Sequence, residues 1–292
     1  MGRNRRHLIT LTFLAAMVAT LVVAPAAMAD LFTPESGGSS NADRISTLYL
    51  LTFLVGVVVF IGVEGTLIYA LIKFRARKGA VAAQIHGNTR LEIGWTVGAA
   101  VVLVVLAVIT FAMLPGIRDP SNSAPGAAAA LASPVAAVGE KRVPPDGKAL
   151  NIEVNGQQYL WRYTYPDGDD NNLNNPFSYE EMVVPVGTTV TLDIRSQDVV
   201  HSWWIPELGG KMDAVPGYTN YAWFRIDKPG VFHGQCAELC GNGHANMIAK
   251  VRAVSPEEYR EWIAEKSASI QAADEAAAAS RERLAQDPNA TP

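Results

Sequence analysis

The chain has 292 residues, room for one or two folded domains with extensions. Its formal net charge is −4 and it carries no long basic block, which argues against a nucleic-acid partner. Hydrophobic residues make up 49% of it, high for a soluble protein, and long apolar runs account for the excess.

The first run belongs to an export signal. Arg3, Arg5 and Arg6 precede an apolar core from Leu8 to Val23, and Ala27-Met28-Ala29 offers a small-residue cleavage site before Asp30. Residues 1–29 are therefore read as a signal peptide; the alternative is a further, uncleaved membrane helix. Two later runs differ in kind. From Ile45 to Ile72 the only charge is Glu64, and from Ile93 to Leu114 there is none. Each exceeds the ~20 residues that a membrane-spanning helix needs. These helices, about 45–72 and 93–114, make residues 30–115 a transmembrane hairpin. Lys73, Arg75, Arg77, Lys78 and Arg90 crowd the loop between them, so that loop is expected to be cytoplasmic and everything after Leu114 extracytoplasmic. Glu64 is read as a carboxyl hydrogen-bonded to a partner helix.

Residues 116–148, rich in Ala, Pro, Ser and Gly, predict a flexible linker. From Leu150 onward the stretches "LNIEVNG", "QQYLWRYTY", "EEMVVPVG", "TTVTLDIRS", "DVVHSWWIP", "NYAWFRI" and "HANMIAKVRAV" are short, often alternating, and separated by turn residues. Such spacing predicts an all-β sandwich or barrel, placed at 149–264. "PEEYREWIAEK" closes it as a short amphipathic helix, and 265–292 is a polar Ala- and Glu-rich tail. From Leu150 to Ala264 there are fifteen acidic against eight basic residues, densest at 167–170 and at Glu180-Glu181. Such patches serve as solvated surface or as a docking face for a basic protein.

Both cysteines fall in "HGQCAELCGNGHANM", from His233 to Met247. In an oxidising compartment Cys236 and Cys240 suggest a disulfide first. Their neighbours point elsewhere. Glu238 lies between the thiols, His244 and Met247 follow, and His201 sits upstream in "DVVHSWW". Two thiolates, two imidazoles and a thioether are a soft, copper-type donor set. Zinc would accept Cys2His2 but leave Met247 idle. A single copper in a β-sandwich takes two His, one Cys and a weak Met, so the extra Cys suggests a pair of coppers bridged by both thiolates. Met247 and a backbone carbonyl, that of Glu238, would fill the weak axial positions. Such a rigid pair suits electron transfer and leaves no open position for a substrate. His233 is read as a surface residue and Met212 as core.

"CAELCGNGHANM" with "DVVHSWWIP" resembles the dinuclear copper (Cu-A) centre of cytochrome c oxidase subunit II. "HGNTRLEIGWT" at 86–96, "GQQYLWRYTY" at 156–165 and "GGKMDAVPG" at 209–217 resemble further segments of that family, in the same order. The resemblance implies a membrane-anchored chain, a two-helix hairpin followed by a cupredoxin-like sandwich on the periplasmic side of a bacterial cell membrane. It implies copper ligation by His201, Cys236, Cys240, His244 and Met247 through side chains and by Glu238 through its carbonyl. It implies a magnesium ion shared with the catalytic subunit through the Glu238 carboxylate. Glu92 matches a glutamate at the cytoplasmic mouth of a proton-uptake path; read by itself it is equally a helix-start carboxylate favoured by the dipole. Tyr159 stands where many relatives have the Trp at which electrons arrive from cytochrome c, and Trp161 and Trp203-Trp204 are neighbouring aromatics. The implied partners are the haem–copper catalytic subunit I with other oxidase subunits, a cytochrome c donor, a copper-insertion assembly factor and membrane lipid. The implied activity is electron delivery to a subunit that reduces dioxygen to water with proton pumping.

Two other functions fit parts of the pattern. A membrane-anchored copper chaperone with thiol oxidoreductase activity also uses C-x3-C and a distant His, but on a thioredoxin-like α/β domain with one anchor. A Cu-A subunit of a nitric-oxide reductase would share the whole motif, its chemistry residing on another chain.

Overall fold

The computed structural model describes residues 34–76, 79, 81, 83–127, 143–166 and 174–286. The expected signal peptide at 1–29, Arg77 and Lys78, linker residues 128–142, the acidic cluster at 167–170 and the tail end at 287–292 lie outside the described residues.

Among the described residues two long helices come first, α1 (Ser40–Lys73) and α2 (Thr89–Arg118). The Arg44 guanidinium lies against Gly116, so the start of α1 meets the end of α2 and the pair is antiparallel. At 1.5 Å per residue these 34- and 30-residue helices exceed the ~30 Å of a bilayer's hydrocarbon core. Each is long and apolar enough to cross a membrane. Both run beyond the apolar spans of the sequence, because polar residues at the ends stay helical outside the lipid. The Asn88 side chain caps α2 by accepting from the Leu91 amide at 3.2 Å. Large apolar side chains such as Phe60 and Phe111 point away from the pair and are exposed, a surface suited to lipid or to other membrane helices.

A domain built on strands follows. β1 (Leu150–Gln157), β2 (Leu160–Thr164), β3 (Phe177–Tyr179), β5 (Thr189–Ser196) and β8 (Asn220–Arg225) form a five-stranded sheet in the order β3-β2-β1-β5-β8. β4 (Glu181–Pro185), β9 (Gly230–Gln235) and β10 (Ile248–Val254) form a second sheet in the order β4-β10-β9. β6 (His201–Trp203) and β7 (Met212–Ala214) make a two-stranded ribbon. The β1–β5 and β4–β10 pairs are parallel and the others antiparallel. Alternation points Ile152 and Val154 of β1, Trp161 and Tyr163 of β2, and Leu192 and Ile194 of β5 inward, against Met182, Val184, Val251 and Ala253 of the second sheet. Burial of each large apolar side chain contributes about 1.5–3 kcal/mol. No helix crosses over between strands of the described sheets, which removes the thioredoxin-like chaperone reading.

Two expectations need correction. Residues just after α2 are not a free linker. Ser121 accepts from the Thr189 hydroxyl at 2.6 Å, the Ser123 hydroxyl accepts from the Thr189 amide at 2.9 Å, and the Ala124 amide donates to Gly187 at 2.7 Å. The Ala- and Ser-rich composition hides these bonds because they are made through small polar side chains and backbone. The closing helix is also not short. α3 (Pro256–Gln286) runs unbroken through most of the expected tail. Tyr259 and Trp262 anchor its first turns beside Tyr165, and an Ala-rich stretch of high helix propensity continues it into solvent.

Candidate metal centre

The centre is built by backbone pairing before any side chain is considered. β6 bonds to β7 on one side, with His201 opposite Ala214. On its other side the Gln235 amide donates to the Trp204 carbonyl at 3.1 Å, and the Ala237 amide to the Ser202 carbonyl at 2.9 Å. Gly234 permits this approach, since a Cβ there would overlap the Trp204 carbonyl oxygen. Cys236 is thereby set beside His201. The Cys236 amide then donates to the Met247 carbonyl at 2.8 Å, closing the loop that carries Cys240 and His244. A short 3-10 turn at His244–Asn246 directs the His244 ring back toward Cys240.

Five side chains converge. His201 Nδ1 lies 3.9 Å from Cys236 Sγ, and the two cysteine sulfurs lie 3.9 Å apart. Cys240 Sγ lies 3.7 Å from His244 Nδ1 and 3.9 Å from Met247 Sδ. The Glu238 carbonyl oxygen is 3.3 Å from Cys236 Sγ, while the residue itself faces solvent. His201 and Met247 are wholly buried, and Cys236 and Cys240 nearly so; His244 is half-buried. The thiols are free, far from the ~2.05 Å of a disulfide. Nδ1 of His201 and both sulfurs lie within 4.8 Å of one another, close enough to share an ion. Ligand bonds of about 2.0–2.3 Å put the donors of one metal at such separations. The donor set fits a soft transition metal, and among the described residues no carboxylate joins the cluster as calcium or magnesium would need.

Polar groups around the cluster aim it. His201 Nε2 is 2.8 Å from Asp198 Oδ1, which leaves Nδ1 to face the sulfurs. Partial burial pushes the Asp198 carboxyl up, but hydrogen bonds from the Gln158 amide, the His201 ring and the Val199 amide outweigh it, and the net direction is down. Burial and the adjacent Cys236 push the Cys240 thiol up to about 11. The edge of the Trp161 ring meets His201 at a centroid distance of 5.9 Å. The Gln158 side chain donates to the Cys240 carbonyl at 2.6 Å. Next to it, the Tyr159 hydroxyl donates to Asn242 Oδ1 at 2.6 Å, and its ring lies over Gly243. Sequence reasoning passed over Asp198 and Gln158. The only available signal was an acid three residues before His201, in a turn that Asp198 itself closes by accepting from the Val199 amide at 2.7 Å.

Other candidates lie apart from the cluster. Glu92 stands in the first turn of α2, where its Oε1 accepts weakly from the Asn88 amide at 3.3 Å. His233 is exposed on β9, and Met212 packs against the core. Trp203 is core, stacked on Phe224, and Trp204 carries the Lys211 ammonium 4.7 Å above its ring. Within the Glu180-Glu181 patch, Glu181 is engaged by Lys250 at 2.8 Å and Arg252 at 3.5 Å, which weakens its value as a docking charge.

Residues 177–254 match the family model described as cytochrome c oxidase subunit II, periplasmic domain, and residues 26–113 match that of its transmembrane domain. Tyr159 and Gln158 fall between these two spans. The chain is 37% identical to the cytochrome c oxidase subunit 2 of Alkalihalophilus pseudofirmus, over 76% of its own length and 58% of that chain. It is 32% identical to the cytochrome c oxidase subunit 2 of Synechocystis, over 77% of its own length and 73% of that chain. Among solved structures, the periplasmic domain of subunit II of cytochrome oxidase from Bradyrhizobium japonicum is similar at 33% identity, covering 41% of this chain and 95% of that one with a TM-score of 0.39. With a membrane hairpin, a β-sandwich and a buried His/Cys cluster in the same order, the chain belongs to the cytochrome c oxidase subunit II family.

Proposed function

We propose that the chain is the electron-transfer subunit of a membrane-bound oxidase, taking electrons from cytochrome c and passing them to a haem–copper subunit that reduces dioxygen to water with proton pumping. The observation that carries this reading is the convergence of His201, Cys236, Cys240, His244 and Met247 in one buried cluster. On this reading those side chains and the Glu238 carbonyl hold two copper ions, which when bound supply a centre that takes up and releases one electron.

The chain's own residues then have defined tasks. Asp198 holds His201 in the tautomer that keeps Nδ1 free for metal. The amides of Cys236 and Ala237 lock the loop to β6 and to Met247, so the donors move little when charge changes. Burial of the cluster excludes water. Both thiols must shed their protons to become ligands, so loading releases protons, and burial makes the Cys240 proton harder to lose. The cysteines must also stay reduced until loading, which calls for an assembly factor that delivers copper. Tyr159, at the surface beside the loop of Cys240 and His244, is where electrons enter. The exposed Glu238 carboxylate contributes to a magnesium ion at the contact with the catalytic subunit. Glu92 gathers protons at the cytoplasmic face, with the α1–α2 loop inside and the copper domain on the periplasmic side of a bacterial cell membrane.

The test is the electron paramagnetic resonance spectrum of the detergent-solubilised chain, loaded with copper while its thiols are kept reduced and then freed of reductant and oxidised by ferricyanide. One unpaired electron shared by two coppers splits into more hyperfine lines than a single copper allows. That pattern, and its loss in Cys236→Ser, is the expected result. A single-copper pattern, or an unchanged spectrum in the variant, would overturn the assignment.

A further inference from the structure

β8 is an edge strand, and its outward backbone groups need partners. They find them in the membrane hairpin. The Asn41 side-chain amide donates to the Trp223 carbonyl at 2.8 Å, and the Arg225 amide donates to the Ser39 hydroxyl at 3.1 Å. Ser39 in turn donates to Asn41 Oδ1 at 2.6 Å, and the same oxygen accepts from the Ala42 amide at 2.9 Å in the first turn of α1. Ser39 and Asn41 are 3% and 5% exposed, unusual for polar residues at a helix start. The far end of the hairpin reaches the same two residues of β8. The Trp223 indole donates to the Ile117 carbonyl at 3.0 Å, and the Arg225 guanidinium donates to the Asn122 carbonyl at 2.7 Å.

Asn41 also reaches the loop that follows the strand carrying His201. β6 runs through a 3-10 turn at Pro206–Leu208 into Gly209, whose φ is +144°. A Cβ on Gly209 would stand 2.9 Å from Asn41 Nδ2, so Asn41 fits between β8 and this turn with no space to spare. A side chain that only capped α1 would need neither contact.

We infer that Asn41, supported by Ser39, is a positioning residue that fixes the height and tilt of the metal cluster over the membrane and thereby sets the rate at which electrons leave it for the haem subunit. This rests on the electron-transfer reading above. Transfer between fixed centres falls steeply with distance, so a small rocking of the domain on its mount slows the outgoing step. Arrival from a soluble donor does not depend on the mount.

The experiment uses the assembled oxidase complex with Asn41→Leu, which keeps similar bulk without the hydrogen bonds, and the milder Ser39→Ala. Four quantities are read: the copper spectrum, the rate of reduction by cytochrome c, the rate from copper to haem, and hydrogen exchange of the Arg225 amide. The expected result is an unchanged spectrum and donor step, faster exchange, and a several-fold slower copper-to-haem step, with Ser39→Ala between wild type and Asn41→Leu. A copper-to-haem rate equal to wild type in both variants, or loss of copper in both, overturns the inference. Absence of any copper-to-haem transfer in the wild-type complex sinks the electron-transfer reading instead, and the exchange measurement still reports on the mount.

Discussion

His201 Nε2 and Asp198 Oδ1 stand 2.8 Å apart, with the imidazole wholly buried and the carboxylate at the rim of the cluster. The pair lies in one turn. Ser196 and the Val199 amide both bond Asp198, so the carboxylate is held before it meets the ring. A buried ring with one nitrogen fixed in this way can present only the other to a metal.

Asp198→Asn keeps the size of the side chain but removes its charge and can reverse its hydrogen-bond polarity toward His201. Loss of such a partner costs about 10–100-fold in metal affinity. Competition with a copper chelator should show a loss in that range while the fold is retained. Equal affinity would mean that Asp198 does not orient the ring.

Tyr159 separates two roles. Tyr159→Phe removes the hydrogen bond to Asn242 but keeps the ring against Gly243. If the aromatic ring carries electrons inward, reduction by cytochrome c should proceed at near wild-type rate in Tyr159→Phe and slow sharply in Tyr159→Ala. Equal rates in all three place the point of arrival elsewhere.

Glu92 also needs a variant that spares its structural contact. Its Oε1 accepts from the Asn88 amide at the start of α2, and Glu92→Gln retains an acceptor there. Steady-state oxygen consumption should fall in Glu92→Gln while the copper spectrum stays unchanged. Wild-type turnover in this variant would leave Glu92 as a cap of the helix.

Tyr259 bears on stability at alkaline pH. Burial raises its phenol above the ordinary value. The folded state therefore holds the proton more tightly than the unfolded state, and stability falls as pH rises through about 10. Buried Tyr163 and Tyr165 are raised in the same direction. Tyr259→Phe removes one of the three, so urea midpoints measured between pH ~9 and ~11 should decline less steeply than in wild type. An unchanged slope would show that Tyr259 does not titrate with unfolding.

The sequence by itself determined the architecture in outline and pointed to a soft set of donors. Long uncharged runs can only be membrane helices or core, and short alternating runs between turn residues can only pair as strands. The unusual concentration of Cys, His and Met around Cys236 and Cys240 named the ligand chemistry, because soft donors are recognisable by type alone. Tertiary structure decided everything that depends on who sits opposite whom. His201 lies 35 positions from Cys236, and only the pairing of β6 with the segment after β9 brings them together. Asp198 and Gln158 gained roles the same way, through hydrogen bonds to groups remote in sequence or across a tight turn. Asn41, 182 positions from Trp223, looks in the sequence like an ordinary polar residue at the start of a helix. Its contact with an edge strand is invisible there, because strand edges exist only once the sheet has formed.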